Sequence, residues 1–526
     1  MSLYISPADL HAALQDGDEL ALIDVREQGV FFHSHLFWAV CIPLSRLELL
    51  ILDLVPRKSV RIVLCDDGPS GIAGAAMEVL GALGYGDLRI LEGGTAAWAE
   101  AGYELYSGVN VPSKAFGEFV EHAYDTPRIP AQELDELIRS GRDMVILDSR
   151  PVEEYRRMNI PGGIDVPGAE LVYRVHEIAP DPDTLVVVNC AGRTRSIIGA
   201  QSLINAGILN DVAALKDGTM GWELAGFACE HGSERFGPEP SPDAVELAQQ
   251  RAAAVARRFG VRFADKEAVE GWEAEQGVRT LYLLDVRTPE EFAAGHVAGS
   301  RHAPGGQLVQ ATDEYVATRN ARIVLFDDER VRAVMTASWL IQLGWPDVHV
   351  YDGAIDDWPV ETGPRPPAAP EIERWETIGP DDLEPDDHIL DLSDSLTYRR
   401  GHIPGAWWGL RTRLDEALLP DDARIVLYAD DDRMAHLAAT TLSGLEIEDD
   451  FVVLAGGLDV WRAAGKPVEP DDGRMTLATT EPNDVWYKPY DTDEEVRAKM
   501  EEYLVWEVAL VEQIARDGTV RFRTYP

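Results

Sequence analysis

The sequence predicts an α/β fold made of four tandem domains, each a small parallel sheet flanked by helices, followed by a C-terminal helical tail. Two observations predict it. Short apolar strands alternate with helix-like stretches such as 73–83, 195–206 and 333–343, the alternation of a parallel sheet covered by helices. The same set of elements also recurs in the same order along 526 residues, with a repeat above ~100 residues that suits a small domain rather than a solenoid unit.

The first element is an apolar strand ending in Asp, often followed by X-Arg. It runs Leu22-Ile23-Asp24-Val25-Arg26, Ile146-Leu147-Asp148-Ser149-Arg150, Leu283-Leu284-Asp285-Val286-Arg287 and, more weakly, Ile389-Leu390-Asp391. The second is a turn near Pro-Gly: Ile160-Pro161-Gly162-Gly163, His296-Val297-Ala298-Gly299 and His402-Ile403-Pro404-Gly405-Ala406. In the first copy, His35 to Pro43 has lost this pattern. The third is a strand of buried type, Arg61–Leu64, Val186–Val188, Arg322–Leu325 and Arg424–Leu427. The fourth is a glycine turn before Trp98, Trp222, Trp358 or Trp461.

These elements divide the chain into domains at 1–108, 127–232, 261–363 and 371–470, with a linker helix at 242–260. Pro-rich breaks at 237–242 and 363–370 mark two of the joins. The tail, 471–526, belongs to no repeat. Thr492 with Glu495 makes a capping-box pattern. Val496, Met500, Tyr503, Leu504, Val508, Val511 and Ile514 then follow helical spacing up to Gly518. One apolar face predicts a helix packed back on a domain.

A hydrophobic content of 45% is enough for packed cores. The net charge of −45 argues against nucleic acid and anionic membrane as partners. It also repels small anions at long range, so an anion site needs its own local cations. The four cysteines form no CxxC pair and no metal-ligand spacing with histidine. No signal peptide is evident, no run of ~18 apolar residues exists, and a reducing, cytoplasmic setting is expected. No metal or cofactor is expected, and the oligomeric state is not legible.

Function points to the stretch Val186 to Ser196, Val-Val-Val-Asn-Cys-Ala-Gly-Arg-Thr-Arg-Ser. A buried strand ends in Cys190, and a loop with two arginines leads into a helix. Ligands of parallel sheets bind beyond the carboxyl ends of the strands. Three features predict an ionised thiol, its pKa lowered by about one to several units. The loop amides of Ala191, Gly192 and Thr194 can nest an anion. A helix starting near Ser196, which could cap it, presents its positive end. Arg193 and Arg195 add fixed cations. Gly192 is expected to allow a tight turn.

Taken together, the strand-Asp-X-Arg element, the His-Ile-Pro-Gly-Ala turn, the cysteine loop and the Gly-Gly…Trp ending resemble the rhodanese family of sulfurtransferases over about residues 1–470. The resemblance implies transfer of a sulfane sulfur through a persulfide on Cys190. The donor would be a small thiosulfate-like anion and the acceptor cyanide or a thiol. Arg193 and Arg195 would hold the donor, and Asp148 and Arg150 would orient the loop. Gapless alignment puts Asp327 and Ala429 at the cysteine position of the third and fourth copies, and Asp66 in the first, with Cys65 at the strand end. One catalytic domain among four is therefore expected. Two alternatives stay open: a cysteine phosphatase of related fold, although Arg195 follows Cys190 by only five positions, and a sulfur carrier or regulatory scaffold without turnover. Protease signatures around cysteine are absent.

Overall fold

In the computed structural model, which describes residues 3–416, 423–445, 450–470, 482–491 and 495–526, the apolar runs of every copy align as parallel strands. In the second copy the order is Arg128–Ile129, Val212–Leu215, Leu185–Asn189, Met144–Asp148, Ile164–Asp165. The third and fourth copies repeat this order, and the first adds an antiparallel edge. The strands around Val63, Val187, Val324 and Val426 are buried on both faces, which is why they read as unbroken apolar runs rather than alternating ones. No helix among the described residues is long and apolar enough to cross a membrane.

In the first three copies the Asp-X-Arg element ties the sheet to the loop beside it. Asp24, Asp148 and Asp285 end buried strands, and a carboxylate there needs a partner. The arginine two residues on grips it at 2.6–2.7 Å and donates to a main-chain carbonyl eight residues further along, that of Ser34, Met158 or Gly295. The turn element shows a correction. The first copy keeps the position that its sequence seemed to have lost: His35 stacks on Phe31 at 3.8 Å, as His296 stacks on Phe292 at 3.7 Å and His402 on Tyr398 at 3.9 Å. The signal is the aromatic ring four residues before the histidine, not the Pro-Gly that follows.

Five helices position the site. α1 (Val111–Tyr124) joins the first two copies. α2 (Thr194–Ala206) follows the cysteine loop, and α3 (Gly218–Leu224) closes the second copy. α4 (Pro242–Phe259) fills the segment expected as a linker helix and lays Ala248, Ala252, Val255 and Phe259 against Glu170–Ile178 and Val331–Leu343. α5 (Val496–Asp517) packs back on α1. Of the expected capping box, Thr492 lies outside the described residues. Glu495 stands before the first turn with φ 56° and makes no side-chain cap.

The copies are interlocked. Thr318–Arg319 of the third copy pairs antiparallel with Leu20–Ala21 of the first. Residues of the first three copies, α4 and α5 share one core. The second and third copies face each other through Gly168 and Gly306, where a Cβ on Gly168 would lie 3.2 Å from Gly306 Cα. Each sends an arginine toward its neighbour: Arg195 lies 3.5 Å from Gln307, and Arg332 lies 3.1 Å from Glu170.

Beside Asp148 in the sheet lies Asp165, with one carboxylate oxygen unpartnered. Burial, reinforced by the Asp148 charge, pushes Asp165 up to about 8. A carboxyl with a raised folded-state pKa binds its proton more tightly folded than unfolded, so its contribution to stability is present below about 4 and lost as pH rises through 8. Asp165→Asn is expected to raise the unfolding midpoint by several degrees at pH 8 and to leave it unchanged at pH 4, measured by thermal denaturation across that range.

Candidate active site

Strand Leu185–Asn189 delivers Cys190 to the carboxyl edge of the second sheet. Asn189 fixes the base of the loop: its side-chain amide donates to Asp148 at 3.0 Å, and its carbonyl accepts from the Ser149 hydroxyl at 2.8 Å. The first turn of α3 takes the next two carbonyls, Thr219 N–H donating to Cys190 O at 2.9 Å and Met220 N–H to Ala191 O at 3.0 Å. Gly218 makes this approach possible: its φ is +56°, and a Cβ there would lie 2.3 Å from Cys190 O. A planar trans peptide points its N–H opposite its C=O, so the Ala191 and Gly192 amides turn away from α3.

Several expectations about the loop need correction. α2 begins at Thr194 with Arg193 at its cap position and no side-chain cap. Ser196 sits inside the first turn, its hydroxyl donating to Arg193 O at 2.8 Å. Gly192 makes no left-handed turn; its missing side chain makes room for α5, since a Cβ would meet Tyr503 at 3.3 Å and Glu507 at 3.4 Å. Thr194 is covered by α1 at Gly117 and donates its hydroxyl to Glu507 at 2.6 Å.

The larger correction concerns Arg193. Its guanidinium is buried and held by Glu118 at 2.5 and 2.8 Å, Glu121 at 2.6 Å and Asp217 at 2.9 Å. Three carboxylates take four of its five N–H groups, so it clamps the loop to α1 and α3 while still lining the cavity beside Cys190. Two of the carboxylates, Glu118 and Glu121, lie more than seventy residues away in sequence in α1, where they share a face by their i, i+3 spacing. Burial pushes Glu118 up to about 7 against the pull of Arg193. Arg195 differs: it pairs with Glu154 at 2.8 Å through both nitrogens and lines the cavity beside Cys190. Asp148 and Arg150 lie beneath the loop, joined at 2.7 Å.

That cavity has a volume of about 240 Å³. Its walls combine the cysteine loop with Lys114 of α1, Gln307 of the third copy, Lys488 and Tyr490 of the tail, and Tyr503 and Glu507 of α5. Cys190 Sγ lies 3.5 Å from Ser196 Oγ. Burial pushes its thiol pKa up, while the Arg195 charge and the Ser196 hydroxyl pull it down and Glu507 pushes it further up. The net direction is upward, opposite to the sequence expectation, because burial of the sulfur outweighs the nearby Arg195 charge.

The other three loops hold no thiol at this position. In the first, Asp66 accepts from the Gly68 and Ala73 amides at 2.8 and 3.0 Å, while Cys65 is buried at the strand end. In the third, Asp327 accepts from Ala333 N–H at 3.2 Å and grips Arg332 at 2.8 and 3.0 Å. In the fourth, Ala429 packs against Gly457. Two sister loops thus hold a carboxylate with their own amides.

A family model described as "Rhodanese-like domain" matches residues 6–101, 130–225, 266–361 and 380–464. The crystal structure of a thiosulfate sulfurtransferase from Pseudomonas aeruginosa superposes with a TM-score of 0.94 at 47% identity, covering 100% of both chains. Over 78 residues the chain is 30% identical to the thiosulfate sulfurtransferase GlpE of Pseudomonas aeruginosa, spanning 14% of this chain and 67% of that one. Over 95 residues it is 34% identical to an HTH-type transcriptional regulator of Mycobacterium tuberculosis, spanning 18% of this chain and 41% of that one.

Replacing Arg193 by Met leaves three carboxylates clustered without their cation and is expected to cost about 3–5 kcal/mol. Arg195→Met removes a single, better solvated pair and is expected to cost at most ~1 kcal/mol. Urea unfolding of the two variants measures both, and similar losses would overturn the distinction. The raised thiol pKa predicts that Cys190 reacts with iodoacetamide more slowly than free cysteine at pH 7, read by mass spectrometry over time.

Proposed function

Because the chain belongs to the rhodanese-like domain family, we propose that it is a sulfurtransferase whose second domain passes a sulfane sulfur through a Cys190 persulfide. The enzyme class is that of thiosulfate sulfurtransferase-like rhodaneses. The single observation that carries the site assignment is a cavity-lining thiol at a loop position where two of the three sister copies bind a carboxylate with main-chain amides. A loop of this kind accepts negative charge at that position, and in the second copy the group there is a nucleophile.

The cycle has two displacements. Cys190 loses its proton, and the thiolate attacks the outer sulfur of thiosulfate. The Sγ–S bond forms as the S–S bond of the donor breaks, and sulfite leaves with the bonding pair. Cyanide or a cellular thiolate then attacks the outer sulfur of the persulfide and restores the Cys190 thiolate. Arg195, beside the thiol, offsets both the charge on the donor and the charge on Cys190. Ser196 supports the ionised form: its hydroxyl, which donates to Arg193 O while the thiol is protonated, can turn to donate to the thiolate. Asp148, Arg150 and Asn189 hold the loop base in register. The four cysteines are free, which fits the reducing cytoplasm proposed for this chemistry.

Mass spectrometry of the protein after exposure to thiosulfate is expected to show one added sulfur at Cys190 and none at Cys65. Cys190→Ser abolishes thiocyanate formation from thiosulfate and cyanide, and Cys65→Ser leaves it unchanged. Turnover of an aryl phosphate without thiocyanate would favour the phosphatase reading, and a Cys190→Ser variant with full biological effect would favour a scaffold. Because the resting thiol holds its proton, kcat/KM rises with pH through neutrality. Arg195→Gln removes the cation that opposes burial and shifts that rise to higher pH, read from the pH profile of thiocyanate formation.

A further inference from the structure

With Arg193 committed to three carboxylates, the cavity at Cys190 still needs cations if it takes a doubly charged donor into a chain of net charge −45. Besides Arg195, two lysines from outside the second domain line it, Lys114 and Lys488.

Lys114 lies in α1 and is only 4% exposed. Its ammonium donates to Val109 O at 2.9 Å, and among the described residues no ion pair includes it. An ammonium carries three donors, so a buried one with a single carbonyl partner has unused N–H groups. The cavity is where they can be used. Glu507, which lines the same cavity, and Asp313 lie near enough to offset its charge but form no ion pair with it, unlike the carboxylates that grip Arg193 and Arg332.

Lys488 arrives on the strap 482–491, which is fixed to three domains. Gln28 and Gly29 of the first domain donate their amides to Asp484 O at 3.1 Å and Asn483 O at 2.9 Å. A Cβ on Gly29 would lie 2.6 Å from Asn483 O. Ser395 of the fourth domain donates to the Asp484 carboxylate through its amide at 2.8 Å and its hydroxyl at 2.6 Å. Arg157 of the second holds Asp491 at 2.8 Å and Tyr490 O at 3.0 Å. The lysine is thus presented to the cavity by a braced segment.

The geometry points to a dianion subsite in which Lys114 and Lys488, together with Arg195, hold the oxyanion end of a thiosulfate-class donor while its outer sulfur meets Cys190. This rests on the sulfurtransferase reading and adds to it: two of the three cations come from the interdomain helix and the tail, so the catalytic domain does not recognise its donor alone. It also gives the fourth domain, whose loop has lost its thiol, a part in the site as the anchor of the strap.

The test is the rate of sulfur loading on Cys190, followed by mass spectrometry in single turnovers of the full chain. Thiosulfate serves as the dianionic donor, leaving one sulfur on Cys190 as sulfite departs, and a dialkyl trisulfide as a neutral one, whose attack at the central sulfur leaves an alkyldisulfanyl adduct on Cys190 as an alkanethiolate departs. Lys114→Met and Lys488→Met are each expected to raise the half-saturating thiosulfate concentration roughly tenfold, the loss of one charge-assisted hydrogen bond. Loading from the trisulfide should stay within twofold of wild type, roughly the scatter of a change with no lost contact. Lys114→Arg should recover most of the thiosulfate affinity. Unchanged thiosulfate dependence in both Met variants, with an active wild type, overturns the subsite. Equal losses with both donors also overturn it, since they would mark a structural role. If Lys114→Met does not fold, the less buried Lys488 position decides. A wild type that loads no sulfur from either donor brings down the sulfurtransferase reading itself, and the subsite with it.

Discussion

The clamp of Glu118, Glu121 and Asp217 on Arg193 is the constraint on which the site depends. Four charges are brought together out of water, and each side is costly to bury without the other. Because the carboxylates sit on α1 and α3 while the arginine sits in the loop, their pairing fixes the loop between two helices. It also leaves Arg195, tied to a single carboxylate, as the less committed of the two loop cations that line the cavity. The thiol is placed by this frame as well as by its own strand: α1 covers Thr194, α5 covers Gly192, and α3 takes the carbonyls of Cys190 and Ala191.

The copies without a thiol show what the loop geometry favours. Asp66 accepts from the Gly68 amide of its loop and the Ala73 amide of the helix that follows, and Asp327 from the Ala333 amide of its helix and from the arginine that corresponds to Arg195. In those copies the site is closed by its own side chains. The three domains have other work in the assembly. The third lends Gln307 to the cavity wall and receives Glu170 in exchange around Arg332. The first and fourth hold the strap. The second copy thus carries the cavity-lining thiol of this loop position, and the other three copies brace the walls around it.

Much of the fold was legible because it is written in local pattern. The Asp-X-Arg pairs, the buried strands and the glycine turns each recur within a few residues, and each has a short-range physical cause. Cys190 was legible for the same reason, as a thiol at the end of a buried strand. What was misread depends on contacts distant in sequence. Arg193 looked like a donor ligand because Glu118 and Glu121 belong to another element. The thiol looked acidic because the sequence displays nearby charge but not burial by α1 and α5. Lys114 and Lys488 carry no motif; only the folded chain brings them to one cavity. The first copy's segment from His35 lacks Pro-Gly, and what it shares with the third and fourth copies is the ring stacked on the histidine from four residues before.

The close seat of α5 on Gly192 has a consequence for the order of biosynthesis. Domains of a nascent chain fold from the amino end as they emerge, so the strand and loop that carry Cys190 emerge well before residues 496–517 leave the ribosome. Until then the sulfur lacks one wall of its pocket and stays open to any small oxidant or electrophile in the surroundings. Late arrival of the helix sheathes it, so the interval between making the nucleophile and shielding it is set by the speed of translation.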